Sequence, residues 1–134
     1  MSRVLPLLLL TGLSSCASPA PLFKPTEAVS TLGEMVELGS VRITPLGIVQ
    51  DSRCPKDVQC IQQGTVELKT KIESTWAGDI EKVFRLSRIY LTQGECLQLA
   101  QVEPEASVGV PISPDEYRFH FHIDHSAETC SPEF

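Results

Sequence analysis

Period-two alternation is the feature that most constrains this chain. Between Val66 and Glu73, the side chains of Val66, Leu68, Thr70 and Ile72 alternate with the charged Glu67, Lys69, Lys71 and Glu73. Between Tyr117 and Ile123, Tyr117, Phe119, Phe121 and Ile123 alternate with Arg118, His120 and His122. Successive side chains of a strand point to opposite faces, so each run buries one face and leaves the other in water. No stretch of helical length repeats its apolar residues at the 3.6-residue period. The chain therefore folds as sheets.

Further strands follow from the same pattern and its punctuation. Glu34 to Leu38 lies between Gly33 and Gly39-Ser40. Val41 to Gln50 alternates Val41 and Ile43 with Arg42 and Thr44 until Pro45, after which the apolar positions are Leu46, Ile48 and Val49. Proline donates no ladder hydrogen bond, so this change of facing predicts a bulge or an edge position. Ile80 to Leu86 forms a hairpin with the 66–73 run through a turn at Trp76-Ala77-Gly78-Asp79, with Lys82 out of phase. Strands at Ile89 to Leu91 and Cys96 to Val102 complete the set. Six or seven short strands in a chain of 134 residues, 42% of them hydrophobic, predict one all-β domain. Its expected form is a small antiparallel sandwich of immunoglobulin-like type, or a barrel.

The N-terminus reads as a targeting segment. Arg3 precedes an apolar stretch from Val4 to Leu13 that is too short to cross a bilayer. It ends in Leu13-Ser14-Ser15-Cys16, which resembles the lipobox of bacterial lipoproteins. The resemblance implies a signal peptide over residues 1–15, cleavage before Cys16, and acylation of its thiol and new amino group. Several acyl chains make a stable anchor. Ala17 stands where the family's inner-membrane retention signal has Asp. The implied location is the bacterial cell envelope, on the outer membrane facing the periplasm. Residues 16–30 contain Pro19, Pro21 and Pro25 and read as an extended tether. The domain is expected over residues 31–125 and a polar tail over 126–134.

The formal charge is −6, from 11 basic and 17 acidic residues; losing Arg3 with the leader leaves 10 and 17, a net −7. With no basic cluster, nucleic acid is not an expected partner. The expected partners are the membrane, through the lipid, and an envelope protein or ligand.

Five cysteines are present. With Cys16 lipidated, four remain in an oxidising compartment, and four allow three pairings. Cys54 and Cys60 have five residues between them, where redox pairs have two and structural zinc pairs two to four. That spacing favours a disulfide closing a seven-residue loop. Pro55 presets a turn, and Asp51 is placed to cap the Arg53 N–H. Such a crosslink contributes about 2.4 kcal/mol by loop-closure entropy. Cys96 and Cys130 remain as a second pair that would hold the tail to the body, contributing about 3.8 kcal/mol.

The segment Asp51 to Gly64, DSRCPKDVQCIQQG, resembles an uncharacterised family of bacterial secreted proteins and lipoproteins. Its members carry DSRCP, a short gap, and Cys-Val-Trp-Ala-Gly or close variants. The match covers Asp51 to Ile61 and Gly64. The resemblance implies a small β-sandwich. Gln62-Gln63 replace Trp-Ala here, which removes an aromatic from the loop.

His120, His122 and Asp124 share one face of the last strand, with His125 adjacent, and two imidazoles with a carboxylate can bind Zn²⁺ or Cu²⁺. The competing reading is the solvent face of a strand whose other face is core. The acidic residues Glu103, Glu105, Asp115 and Glu116 are scattered rather than spaced as a calcium loop, and read as a solvated face. No Gly-x-Ser-x-Gly elbow and no phosphate-binding glycine loop is present. The expected function is a non-enzymatic binding or interaction module of the cell envelope. The alternative is a periplasmic zinc- or copper-binding protein using His120, His122 and Asp124.

Overall fold

The structure is a computed structural model that describes residues 25–75, 78–86, 89–92 and 95–124, and for 89–92 the backbone alone. Within these residues lie eight strands: β1 (Glu27–Ser30), β2 (Val36–Leu38), β3 (Val41–Asp51), β4 (Val66–Ser74), β5 (Gly78–Arg85), β6 (Ile89–Thr92), β7 (Glu95–Glu103) and β8 (Arg118–Asp124). They form two four-stranded sheets with the orders β1-β8-β7-β6 and β2-β3-β4-β5. Every pairing is antiparallel. This is the sandwich form of the expected all-β fold.

The core is made by the inner faces of the alternating runs. Val66, Leu68, Thr70 and Ile72 of β4 are all buried, as are Tyr117, Phe119, Phe121 and Ile123 at and along β8. Phe84 of β5 meets Phe121 of β8 edge to face at 6.2 Å, which joins the two sheets through an aromatic contact. On the outer face of the β2–β5 sheet the charges neutralise one another, mostly across β4 and β5. Lys69 pairs with Glu81, Lys71 with Glu73 and Asp79, and Arg85 with Glu67.

The break at Pro45 is a bulge. The β3–β4 register shifts between Pro45 and Gly47, and again between Ile48 and Gln50. Proline is tolerated because β2 pairs with β3 only over Val41 to Ile43. The Pro45 carbonyl instead accepts from the Gly33 N–H at 2.7 Å. A third shift, between Leu99 and Gln101 in β7, turns Val102 back into the core with Leu97 and Leu99. Ile80 keeps its expected facing, opposite the buried Ile72 of β4, yet it is 44% exposed, because β5 is an edge strand that overhangs the core.

The strand count is eight, one above the expected range, and the extra strand is β1. Residues 27–30 were assigned to the tether on the strength of nearby prolines. They instead add to the edge of β8, pairing Glu27 with His122 and Ser30 with Phe119. The four residues carry too little alternation to announce a strand; the free edge of β8 organises them.

The sandwich has two unlike ends. At one, here called proximal, the described chain begins: the Pro25 carbonyl accepts from Gly39 N–H and the Thr26 carbonyl from Ile123 N–H. Ser40 hydrogen-bonds there to the Glu95 carboxylate. At the other, distal end lie the 52–65 connection and the 104–117 connection.

Candidate binding surface

The distal end is held together by residues of the DSRCP segment. Asp51 closes β3, and its carboxylate accepts from the Arg53 backbone N–H at 3.2 Å. Arg53 Nε and its terminal nitrogen grip both Asp51 oxygens at 3.0 and 2.7 Å. The other terminal nitrogen donates to the Val102 carbonyl of β7 at 2.6 Å. The Tyr117 hydroxyl, just before β8, donates to Asp51 at 3.0 Å. One carboxylate and one guanidinium thus bolt the end of β3 to the opposite sheet. A planar guanidinium suits this task because it satisfies a carboxylate and a carbonyl at once.

Burial opposes ionisation of both groups, yet each stays charged. It pushes the Asp51 carboxyl up, but the hydrogen bonds from Arg53 and Tyr117 and the Arg53 charge outweigh it, so Asp51 titrates below its ordinary value. Burial likewise lowers Arg53, and the Asp51 carboxylate more than restores it. Burial and then the Asp51 hydrogen bond raise the Tyr117 phenol, which stays protonated as a donor.

The remaining residues of the segment build the loop. The Ser52 N–H donates to the Thr65 carbonyl at 2.8 Å, and its hydroxyl accepts from the Thr65 N–H at 3.1 Å. Cys54 and Cys60 form the expected disulfide, with Cα atoms 6.0 Å apart. The Pro55 carbonyl accepts from Val58 N–H at 3.2 Å, closing the turn. Gly64 is needed for space: a Cβ there would lie 1.5 Å from the Ser52 carbonyl oxygen.

The crosslinked loop is tied to the 104–117 connection. Lys56 N–H donates to the Ala106 carbonyl at 2.9 Å, and the Asp57 carboxylate accepts from Val108 N–H at 3.2 Å. A bridge between Ser107 and Val110 and a turn at Ser113 to Glu116 fix the second loop internally. These tied loops expose Val58, Ile61, Val108 and Val110 at 48, 103, 57 and 62%. The same loops also expose the neutral Gln59, Gln62 and Gln63, the basic Lys56, and the acidic Glu105, Asp115 and Glu116.

The histidine face behaves differently. His120 and His122 do project outward from β8, while Phe119, Phe121 and Ile123 fill the core. Each imidazole leans toward a different neighbouring strand: His120 Nε2 lies 3.5 Å from Glu103 of β7, and His122 Nδ1 3.6 Å from Glu27 of β1. His120 Nε2 is occluded and makes no hydrogen bond. Strand neighbours on one face are about 6.6 Å apart, so outward side chains diverge unless a flanking strand draws them together. Among the described residues, no group of three or more His, Cys, Asp and Glu is arranged to hold a metal ion. His120, His122 and Asp124 therefore share a face without converging.

Cys96 is buried in β7 and disulfide-bonded. Cys130, His125, Trp76, the lipidation residue Cys16, the leader and the tail lie outside the described residues. Val58, Ile61, Val108 and Val110 were not among the sequence-derived candidates. Their signal was apolar residues inside connections otherwise rich in Gln, Pro, Gly and Ser. No family model matches the chain, and no curated protein or solved structure is matched by it.

Proposed function

We propose that the chain is a lipid-anchored cell-envelope protein, held by acylated Cys16 in the outer membrane and facing the periplasm, that acts as a non-enzymatic interaction module. One observation carries the reading. The chain enters the sandwich at the proximal end, through Pro25 and Thr26, whereas the rigid loops with exposed aliphatic tips occupy the distal end. An anchored domain built this way offers its apolar tips away from its own membrane. A crosslinked loop loses little entropy on binding, so its exposed tips are suited to recognition. The leader pattern and the lipobox resemblance support the anchor, and the oxidised cysteines suit an extracytoplasmic compartment.

The test is fractionation with metabolic fatty-acid labelling. The native chain incorporates label and sediments with membranes. Cys16→Ser incorporates none and is soluble. A native chain that is unlabelled, or that stays soluble after export, refutes the anchor.

A further inference from the structure

We propose that the distal end docks into an apolar cleft with a basic rim on another envelope protein, with Val58, Ile61, Val108 and Val110 as the inserted surface. This rests on the reading of the chain as an interaction module and assigns that module its surface and partner chemistry.

Four exposed aliphatic side chains gathered on two tied loops differ from the scattered apolar residues that every surface carries. Ile61 is the most exposed of the four and directly follows the disulfide-bonded Cys60. Burying one such side chain against a partner is favourable because its apolar area leaves water. Backbone hydrogen bonds from Lys56 to Ala106 and from Val108 to Asp57 hold the two loops in register before any partner arrives.

Charge selects the partner. Glu105, Asp115 and Glu116 are exposed on the second loop and Lys56 on the first, so the charge the two loops present is acidic on balance. Glu103, at the end of β7, joins Glu105 and Glu116 around a depression at the base of that loop, where three carboxylates outnumber the single cation Arg118. An acidic flank is repelled by anionic lipid headgroups and attracted by Lys and Arg. A lipid surface is therefore disfavoured, and a protein cleft edged with basic side chains is favoured. Orientation agrees: β3 runs the length of nine β4 residues, which sets the two ends of the sandwich about 27 Å apart.

The experiment is photo-crosslinking in native envelopes, with a photoreactive residue at position 58, 108 or, as a control on the charged outer face of β5, 83. The expected result is one discrete protein adduct from positions 58 and 108 and none from 83. Mass spectrometry of the adduct should locate the joined residue in an apolar cleft bordered by Lys or Arg. Ile61→Asp, and separately Glu105→Lys with Asp115→Lys, should lower the yield about tenfold or more while leaving thermal unfolding unchanged. The proposal is overturned by no adduct, by equal adducts from position 83, by lipid adducts, by an adduct with a second copy of this chain, or by indifference to charge reversal. Release of Cys16→Ser from the membrane bears on the anchor alone, so the two readings fail separately.

Discussion

Replacing Arg53 by Met removes the bolt between the two sheets while keeping most of the apolar stem. The Arg53 side chain is 11% exposed and its Asp51 partner 16%. Two charge-assisted hydrogen bonds to Asp51 and one to the Val102 carbonyl disappear together. Hydrogen bonds to charged groups contribute about 1.5–3 kcal/mol, and breaking a buried pair costs about 3–5 kcal/mol. Residual water contact at both groups brings the cost below that of a fully buried pair, to about 2–3 kcal/mol. In a domain of this size that lowers Tm by roughly 10–20 °C. Asp51→Asn should cost about 1.5–2 kcal/mol, and the double variant less than the sum by about 1–2 kcal/mol. The sign with pH follows from the depressed Asp51 titration. The pair's contribution is fully present above the unfolded carboxyl value of about 4 and is lost as pH falls through the lower folded value. Urea unfolding at pH 7 and at pH 3 measures both effects. A coupling below about 0.5 kcal/mol at pH 7, or one that persists undiminished after protonation, would falsify the view that this pair joins the sheets.

Gly64→Ala should destabilise by more than about 2 kcal/mol, since the new methyl meets the Ser52 backbone and neither chain can yield without losing the Ser52–Thr65 bonds; an unfolding midpoint within error of the parent refutes it. Cys54→Ser with Cys60→Ser should lower stability by about 2 kcal/mol and leave a folded sandwich, because the crosslink spans a short loop outside the core; loss of the β-sheet circular dichroism signal at 25 °C would contradict this. Zinc or copper added to the purified domain at micromolar concentration should leave Tm unmoved, because His120 and His122 turn to separate carboxylates; a shift abolished by His120→Gln with His122→Gln would show that the outer face rearranges around metal.

Much of the sheet structure was legible because alternation is a local property. Seven of the eight strands fall within two residues of the runs marked by pattern and punctuation, and the inner residues of β4 and β8 are those the alternation selects. Two departures have one cause. β1 and Ile80 are edge features, and what an edge strand does depends on the neighbour it finds rather than on its own residues. The bulge at Pro45 was readable, but the reason it is tolerated was not: β2 stops pairing at Ile43, so no partner needs the N–H that Pro45 lacks, and the Pro45 carbonyl finds its donor in Gly33.

The site divides along the same line. Three features follow from the order of residues alone: Cys54 and Cys60 close a loop, Asp51 caps Arg53, and the histidines face away from the core. Each is a relation between residues a few positions apart, governed by chain geometry. The packing of one sheet on the other is what brings Arg53 to the Val102 carbonyl, 49 residues away, and Tyr117 to Asp51 across 66. Stacking also ties the loop of Val58 and Ile61 to that of Val108 and Val110, opposite the end where the chain enters. Those contacts depend on how one sheet stacks on the other, which the two inner faces settle together through packing and desolvation, and which neither strand pattern encodes alone.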